Sequence, residues 1–161
     1  MGANELSAAL WRQRELLDLL HYKYETEHLL LAAGKSRWIP RATLEVEAVI
    51  EQLQTASLRT SVMMVDVAAD WGVPAEANLR AVIDAAPATV WKDIFSAHLE
   101  ALTTATGNIK QLRSQNDTLL RQALRSTQEM LNAIGTPAEG YDAGGTAGRG
   151  FVSPALVDTE A

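Results

Sequence analysis

Apolar and small side chains recur along residues 91–134 at steps that alternate between three and four. This spacing is the seam of a coiled coil, and it predicts one helix of about a dozen turns. At 1.5 Å per residue the helix would be on the order of 65 Å long, longer than either other helix that the sequence predicts. We therefore expect part of it to lack a partner within the chain. The seam positions are Trp91, Phe95, His98, Leu102, Ala105, Ile109, Leu112, Asn116, Leu119, Ala123 and Met130.

Two further helical patterns come before this one. The first covers about 4–33 and is followed by Gly34, and the second covers about 41–71 and is followed by Gly72-Val73-Pro74. Glycine and proline at these places end helices. Because the two patterns are similar in length and a short turn joins them, we expect an antiparallel hairpin. A short connector helix is predicted over about 75–85.

The predicted fold class is all-α. The hairpin and a long C-terminal helix, 89–134, would form a three-helix coiled-coil-like bundle with the connector helix packed on it. We expect this domain to cover 1–134. Residues 135–161 contain 6 of the 10 glycines, four acidic residues and one arginine, and they show no helical period. They are predicted to be a flexible Gly-rich acidic tail.

Charge and composition exclude several classes of function. The net charge of −6 argues against nucleic-acid binding, which needs a basic face. The chain has no cysteine, which removes thiol catalysis, zinc ribbons and disulfides and fits a reducing compartment. The N-terminus does not have the pattern of a secretory signal, and no apolar run reaches the roughly 18 residues of a membrane span. We expect a cytoplasmic protein.

One short motif has metal-binding character. Residues 25–28 match the Glu-x-x-His element of di-iron helical bundles. Such a site needs two of these elements and two further glutamates, but Phe95 occupies the matching position before His98. A carboxylate-bundle metalloenzyme is therefore only a third hypothesis. We expect no catalytic residue, metal, cofactor or small-molecule substrate.

Several segments together carry a family resemblance. The most specific covers 109–120, Ile-Lys-Gln-Leu-Arg-Ser-Gln-Asn-Asp-Thr-Leu-Leu, and is followed by Leu131 and by Tyr-Asp-Ala-Gly-Gly at 141–145. The others are 20–34, and 41–47 with the Ala-Ser-Leu-Arg that follows at 56–59. In this order they resemble the FlgN family of flagellar export chaperones. That family typically has an Asn-x-x-Asn-x-x-Leu-Leu-type segment in its last helix, then a polar stretch and Tyr-x-x-x-Gly.

The resemblance implies a binding function rather than catalysis. Members hold the C-terminal helical segments of hook-associated proteins, the hook–filament junction subunits, and deliver these clients to the flagellar export gate. The late part of the last helix would complete a coiled coil with an amphipathic client helix. Tyr141 inherits the role of docking to the export gate. The client-binding residues are then expected to be Leu112, Asn116, Leu119, Leu120, Ala123, Leu124, Met130, Leu131 and Ile134.

Three alternatives stay open at this point. Asn116 either fixes the register of a seam or is a surface asparagine, and Tyr141 either docks to the gate or packs back on the bundle. The rival to a chaperone is a self-associating structural or assembly protein whose last helix pairs with its own copy. For the chaperone we expect a monomer or a weak homodimer.

Overall fold

The computed structural model describes residues 2–135, which form helices and no strand. Helix α1 spans Gly2–Ala32, α2 spans Ile39–Asp70, α3 spans Leu79–Asp84 and α4 spans Thr89–Gly135. A single 3-10 turn, Ser36–Trp38, joins α1 to α2. The all-α fold with a long last helix is therefore confirmed.

Glycines in the left-handed backbone region end both helices of the hairpin. Gly34 has a φ of 63° and Gly72 has a φ of 71°, a conformation that costs side-chain-bearing residues energy. After Gly34, the amide of Lys35 donates to the carbonyl of Leu30 at 2.9 Å, and Val73 makes the equivalent bond after Gly72. These bonds satisfy carbonyl groups that the helix itself leaves open.

Two helix starts differ from the sequence-based expectation. Helix α2 begins at Ile39 rather than near 41, because Pro40 fits a first helical turn, where its missing amide proton costs nothing. Helix α3 begins at Leu79 rather than near 75. The side chain of Asn78 accepts a hydrogen bond from the amide of Ala81 at 3.0 Å, which caps the helix at that residue.

A first hydrophobic core joins the start of α1, the end of α2, α3 and the start of α4. Phe95 is fully buried in it, and the rings of Trp71 and Trp91 lie 5.9 and 5.6 Å from the Phe95 ring. This packing makes the connector helix α3 part of the bundle. The buried members are Leu6, Leu10, Val67, Ala68, Val82, Ile83 and Phe95.

A second core joins the later half of α1, the first half of α2 and the middle of α4. The start of α1 packs on the end of α2 in the first core, and the later half of α1 packs on the first half of α2 in the second core. Helices α1 and α2 are therefore antiparallel. Helix α4 advances in the same direction as α1 and continues through Gly107 without a break. The buried members of the second core are Leu17, Leu20, Tyr24, Val46, Val49 and Ile109.

The chain divides into two compact units, 1–124 and 125–161, and the structure describes 125–135 of the second. Helix α4 contributes residues to both units. The predicted division into a domain 1–134 and a tail 135–161 stays a prediction, since 136–161 lie outside the described residues. Within 2–135, no helix is both long and apolar enough to cross a membrane.

Candidate binding surface on the last helix

Two side-chain contacts fix how α4 is aligned with α1. Ser7 Oγ lies 3.2 Å from His98 Nε2, and these residues are 91 positions apart in the sequence. His28 Nδ1 lies 2.8 Å from Asn116 Oδ1, at a separation of 88 positions. The separation of 88 positions at the second contact places Ala32, the last residue of α1, level with Leu120. The hairpin therefore has no further α1 turn to cover α4 beyond Leu120.

Exposure along α4 changes at this level. Leu112 is half-buried and packs against the second core, and Leu119 is half-buried as well. The exposed fraction rises to 40% at Leu120 and to 63% at Leu124. Ala123 is also exposed. Of the predicted client-binding residues in the first unit, Leu120, Ala123 and Leu124 therefore face solvent.

The described part of the second unit, residues 125–135, carries its own apolar side chains. Met130, Leu131 and Ile134 are 65%, 58% and 77% exposed. Ile134 follows Met130 by four positions and Leu131 by three. Residues at these spacings are neighbours on a helix surface, so the three form a single exposed apolar patch around Ile134. Tyr141, the predicted gate-docking residue, lies outside the described residues.

Asn116 is not available to a client, and its predicted role needs correction. Its side chain is only 3% exposed. Its amide nitrogen donates to the carbonyl of Tyr24 at 3.0 Å and to Glu27 Oε2 at 3.1 Å. Its amide oxygen accepts from His28 Nδ1 at 2.8 Å. Since that oxygen can only accept, Nδ1 of His28 carries the proton.

The contacts of Asn116 belong to a polar cluster that connects all three long helices. Glu27 Oε1 accepts a hydrogen bond from Thr43 Oγ1 of α2 at 2.8 Å, while Glu27 Oε2 accepts from Asn116 of α4. Burial raises the pKa of the Tyr24 phenol beside this cluster. Burying a polar group without a hydrogen-bond partner costs free energy. Because these partners meet at only one alignment of the helices, the cluster fixes the register of α4 on the hairpin.

The sequence contained a signal for this cluster. The apolar stripe of α1 is interrupted at Glu27 or His28, and the seam of α4 is interrupted at Asn116. Polar positions that break two apolar stripes become partners when the two helices align. The alignment itself could not be read from one sequence, because it depends on how the helices pack.

A second polar side chain, His98, lies in the first half of α4. It is 2% exposed, and its Nδ1 has no hydrogen-bond partner among residues 2–135. The ring of Trp11 meets the His98 ring edge-on at 5.3 Å. Burial lowers the pKa of His98, and the nearby Arg14 lowers it further. The histidine is therefore held as a neutral core residue.

The Glu-x-x-His motif does not assemble a metal site with other residues of 2–135, where no group of three His, Asp or Glu side chains could hold a metal ion. The histidine of the motif, His28, is instead the partner of Asn116. Its last acidic neighbour, Glu27, is held by Thr43 and Asn116. These side chains have a structural role at the end of the hairpin.

Basic residues accompany the exposed apolar ones on α4. Residues 109–135 include four basic and two acidic side chains, in a chain whose net charge is −6. The basic ones are Lys110, Arg113, Arg121 and Arg125. This segment can therefore attract a negatively charged partner, whereas the chain as a whole repels one.

Comparison with known proteins identifies the family of this chain. The family described as FlgN protein matches residues 1–149, which covers all three long helices. Neither the curated proteins nor the solved structures compared with the chain include a match. The chain therefore belongs to the FlgN family, a family of flagellar export chaperones and not of enzymes.

Proposed function

We propose that this protein binds the C-terminal helical segments of hook-associated proteins through the exposed apolar residues of late α4. The observation that carries the proposal is the exposure of Leu124, which lies in the first unit beyond the level at which α1 ends. An uncovered apolar helix face marks a site of protein interaction. Met130, Leu131 and Ile134 form the proposed client contact of the second unit.

The expected affinity is specific but reversible. Burying one leucine-sized side chain contributes about 1.5–3 kcal/mol. The first unit offers Leu120 and Leu124 for burial, and the described part of the second unit offers Met130, Leu131 and Ile134. Their summed gain is similar in size to the roughly 4–15 kcal/mol that association costs. A chaperone that must release its client benefits from this near balance.

The basic residues of late α4 favour an acidic client helix. Arg121 and Arg125 lie one position after Leu120 and Leu124, at the edge of the apolar residues. Complementary charges at the rim of an interface speed association and select partners more than they add affinity. We therefore propose an amphipathic client segment with acidic side chains along its edges.

The later steps rest on the family rather than on the described residues. We propose that Tyr141 docks to a component of the export gate, and that the protein acts in the cytoplasm before its client is exported. The competing proposal is a self-associating assembly protein whose late α4 pairs with a second copy. The two proposals differ in whether late α4 binds a client segment or the late α4 of a second copy.

Calorimetry with the purified C-terminal segment of a hook-associated protein tests the proposal. Leu124→Asp places a charge in the proposed contact, and we expect it to weaken binding by about tenfold or more, since it loses the burial of one leucine. Because Leu124 is exposed, the melting temperature should stay within a few degrees.

Val90→Asp is the matched control. Val90 lies in the first turn of the same helix and is 64% exposed, against 63% for Leu124. It should bind the client as the wild type does. Equal binding by wild type and Leu124→Asp would refute the proposed contact, and failure of the wild type to bind any hook-associated segment would favour the self-associating alternative.

A further inference from the structure

Helix α2 has a second apolar stripe that faces solvent. Leu58, Val62 and Val65 are 72%, 65% and 41% exposed. Their spacing of four and then three places them on one face of the helix, and exposed Ala69 continues that face. This face is distinct from the one that places Val49 and Val67 in the two cores.

The part of α2 that carries the stripe has few charges. Between residues 52 and 65 the one charged side chain is Arg59, in a chain where 21% of the residues are charged. Depletion of charged residues marks the centre of a protein interface. The stripe is therefore built to be covered by a protein rather than to face water.

The charges beside the stripe are self-complementary. Arg59 follows Leu58 and Asp66 follows Val65, so both lie on the same flank, seven residues or about 10 Å apart along the helix. That distance prevents an ion pair between them. Neither residue has an ion pair with another of the described residues. The midpoint between them falls between Val62 and Met63, near the centre of the stripe.

We propose that this stripe packs against the same stripe of a second copy, with the two α2 helices antiparallel. In an antiparallel pair with a two-fold axis between Val62 and Met63, the same flank of each helix meets the other. Arg59 then faces the partner's Asp66, and Asp66 faces the partner's Arg59. A two-fold interface is the same patch used twice, and two charges of opposite sign placed evenly about its centre satisfy that condition.

The dimer leaves the proposed client contact accessible. The stripe lies at the level of Val67 and Ala68, which pack in the first core beside Leu6. Leu120 is level with the other end of α1, at the hairpin turn. Because the stripe is short, the interface belongs to the small, weak and transient class.

Sedimentation equilibrium of the full chain without client tests the proposal. The wild type should form a dimer as its concentration rises from about 1 μM to about 1 mM. Arg59→Asp and Asp66→Arg each replace two attractive pairs with two repulsive ones, and each should weaken the dimer by about tenfold. The double variant with both changes restores opposite charges and should return to within about threefold of the wild type.

Lys92→Asp is the control, because it changes the net charge as Arg59→Asp does at an exposed position of α4. It should leave the dimer unchanged. Val62→Asp should abolish the dimer while the thermal melt is retained. A wild type that stays monomeric at about 1 mM, a dimer that survives Val62→Asp, or a double variant as weak as the single ones would overturn the proposal.

Discussion

Replacing Asn116 by alanine tests whether the polar cluster holds α4 to the hairpin. The substitution removes hydrogen bonds to Tyr24, Glu27 and His28 at 3.0, 3.1 and 2.8 Å. Each contributes about 1 kcal/mol net, and the better helix propensity of alanine returns about 0.5 kcal/mol. We therefore expect the free energy of unfolding to fall by about 2.5 kcal/mol, with a melting temperature lower by roughly 5–10 °C.

Chemical denaturation followed by circular dichroism measures this change. Asn108→Ala is the matched control, because Asn108 lies on the same helix and is exposed. That variant should be as stable as the wild type or slightly more stable. Thr43→Val removes one bond of the cluster, the one to Glu27, and should cost about 1 kcal/mol.

The reasoning fails if Asn116→Ala unfolds at the same denaturant concentration as the wild type. Such a result would mean that the cluster does not order α4, and that its aliphatic contacts alone align the helix. A loss as large in Asn108→Ala would also contradict the account, because the effect would then not be specific to the cluster.

Two further predictions concern the bundle. Burial lowers the pKa of His98 in the folded state, so on acidification the unfolded chain binds a proton at this histidine before the folded chain does. The free energy of unfolding should therefore fall as the pH drops below about 6.5. His98→Gln should flatten this pH dependence, measured by unfolding curves at pH 7.5 and 5.5. Gly34→Ala should lower the free energy of unfolding by about 1 kcal/mol, because Gly34 has a positive φ. Gly107→Ala should raise it by about the same amount, because Gly107 lies inside α4 and an added Cβ there meets nothing within 4 Å.

Much of the fold follows from the sequence because it depends on local signals. Gly34, Gly72 and Pro40 set helix boundaries through backbone conformation, which acts within a few residues. The seam of α4 follows from its spacing, and His98 occupies its seam position in the core. The expected start of α3 near 75 is wrong because Asn78 caps the helix, and this local signal prevails over the longer apolar pattern.

The binding surfaces depend on alignment, which one sequence does not contain. Asn116 and Ala123 lie in the same seam, yet Asn116 is buried and Ala123 is exposed, because α1 ends at the level of Leu120. The stripe around Val62 was not predicted for a related reason. Helix α2 is apolar on two faces, and only the packing of α1 and α4 shows which face is covered.

Hydrogen exchange of α4 with and without a hook-associated client segment tests the central claim most directly. In the free protein, amides of residues 91–116 should exchange slowly because they lie in the cores, and amides of 120–135 should exchange faster. Adding the client should slow exchange at 120–135 and leave 91–116 unchanged. Protection that appears elsewhere, with 120–135 unaffected, would contradict the proposal that late α4 is where the client binds.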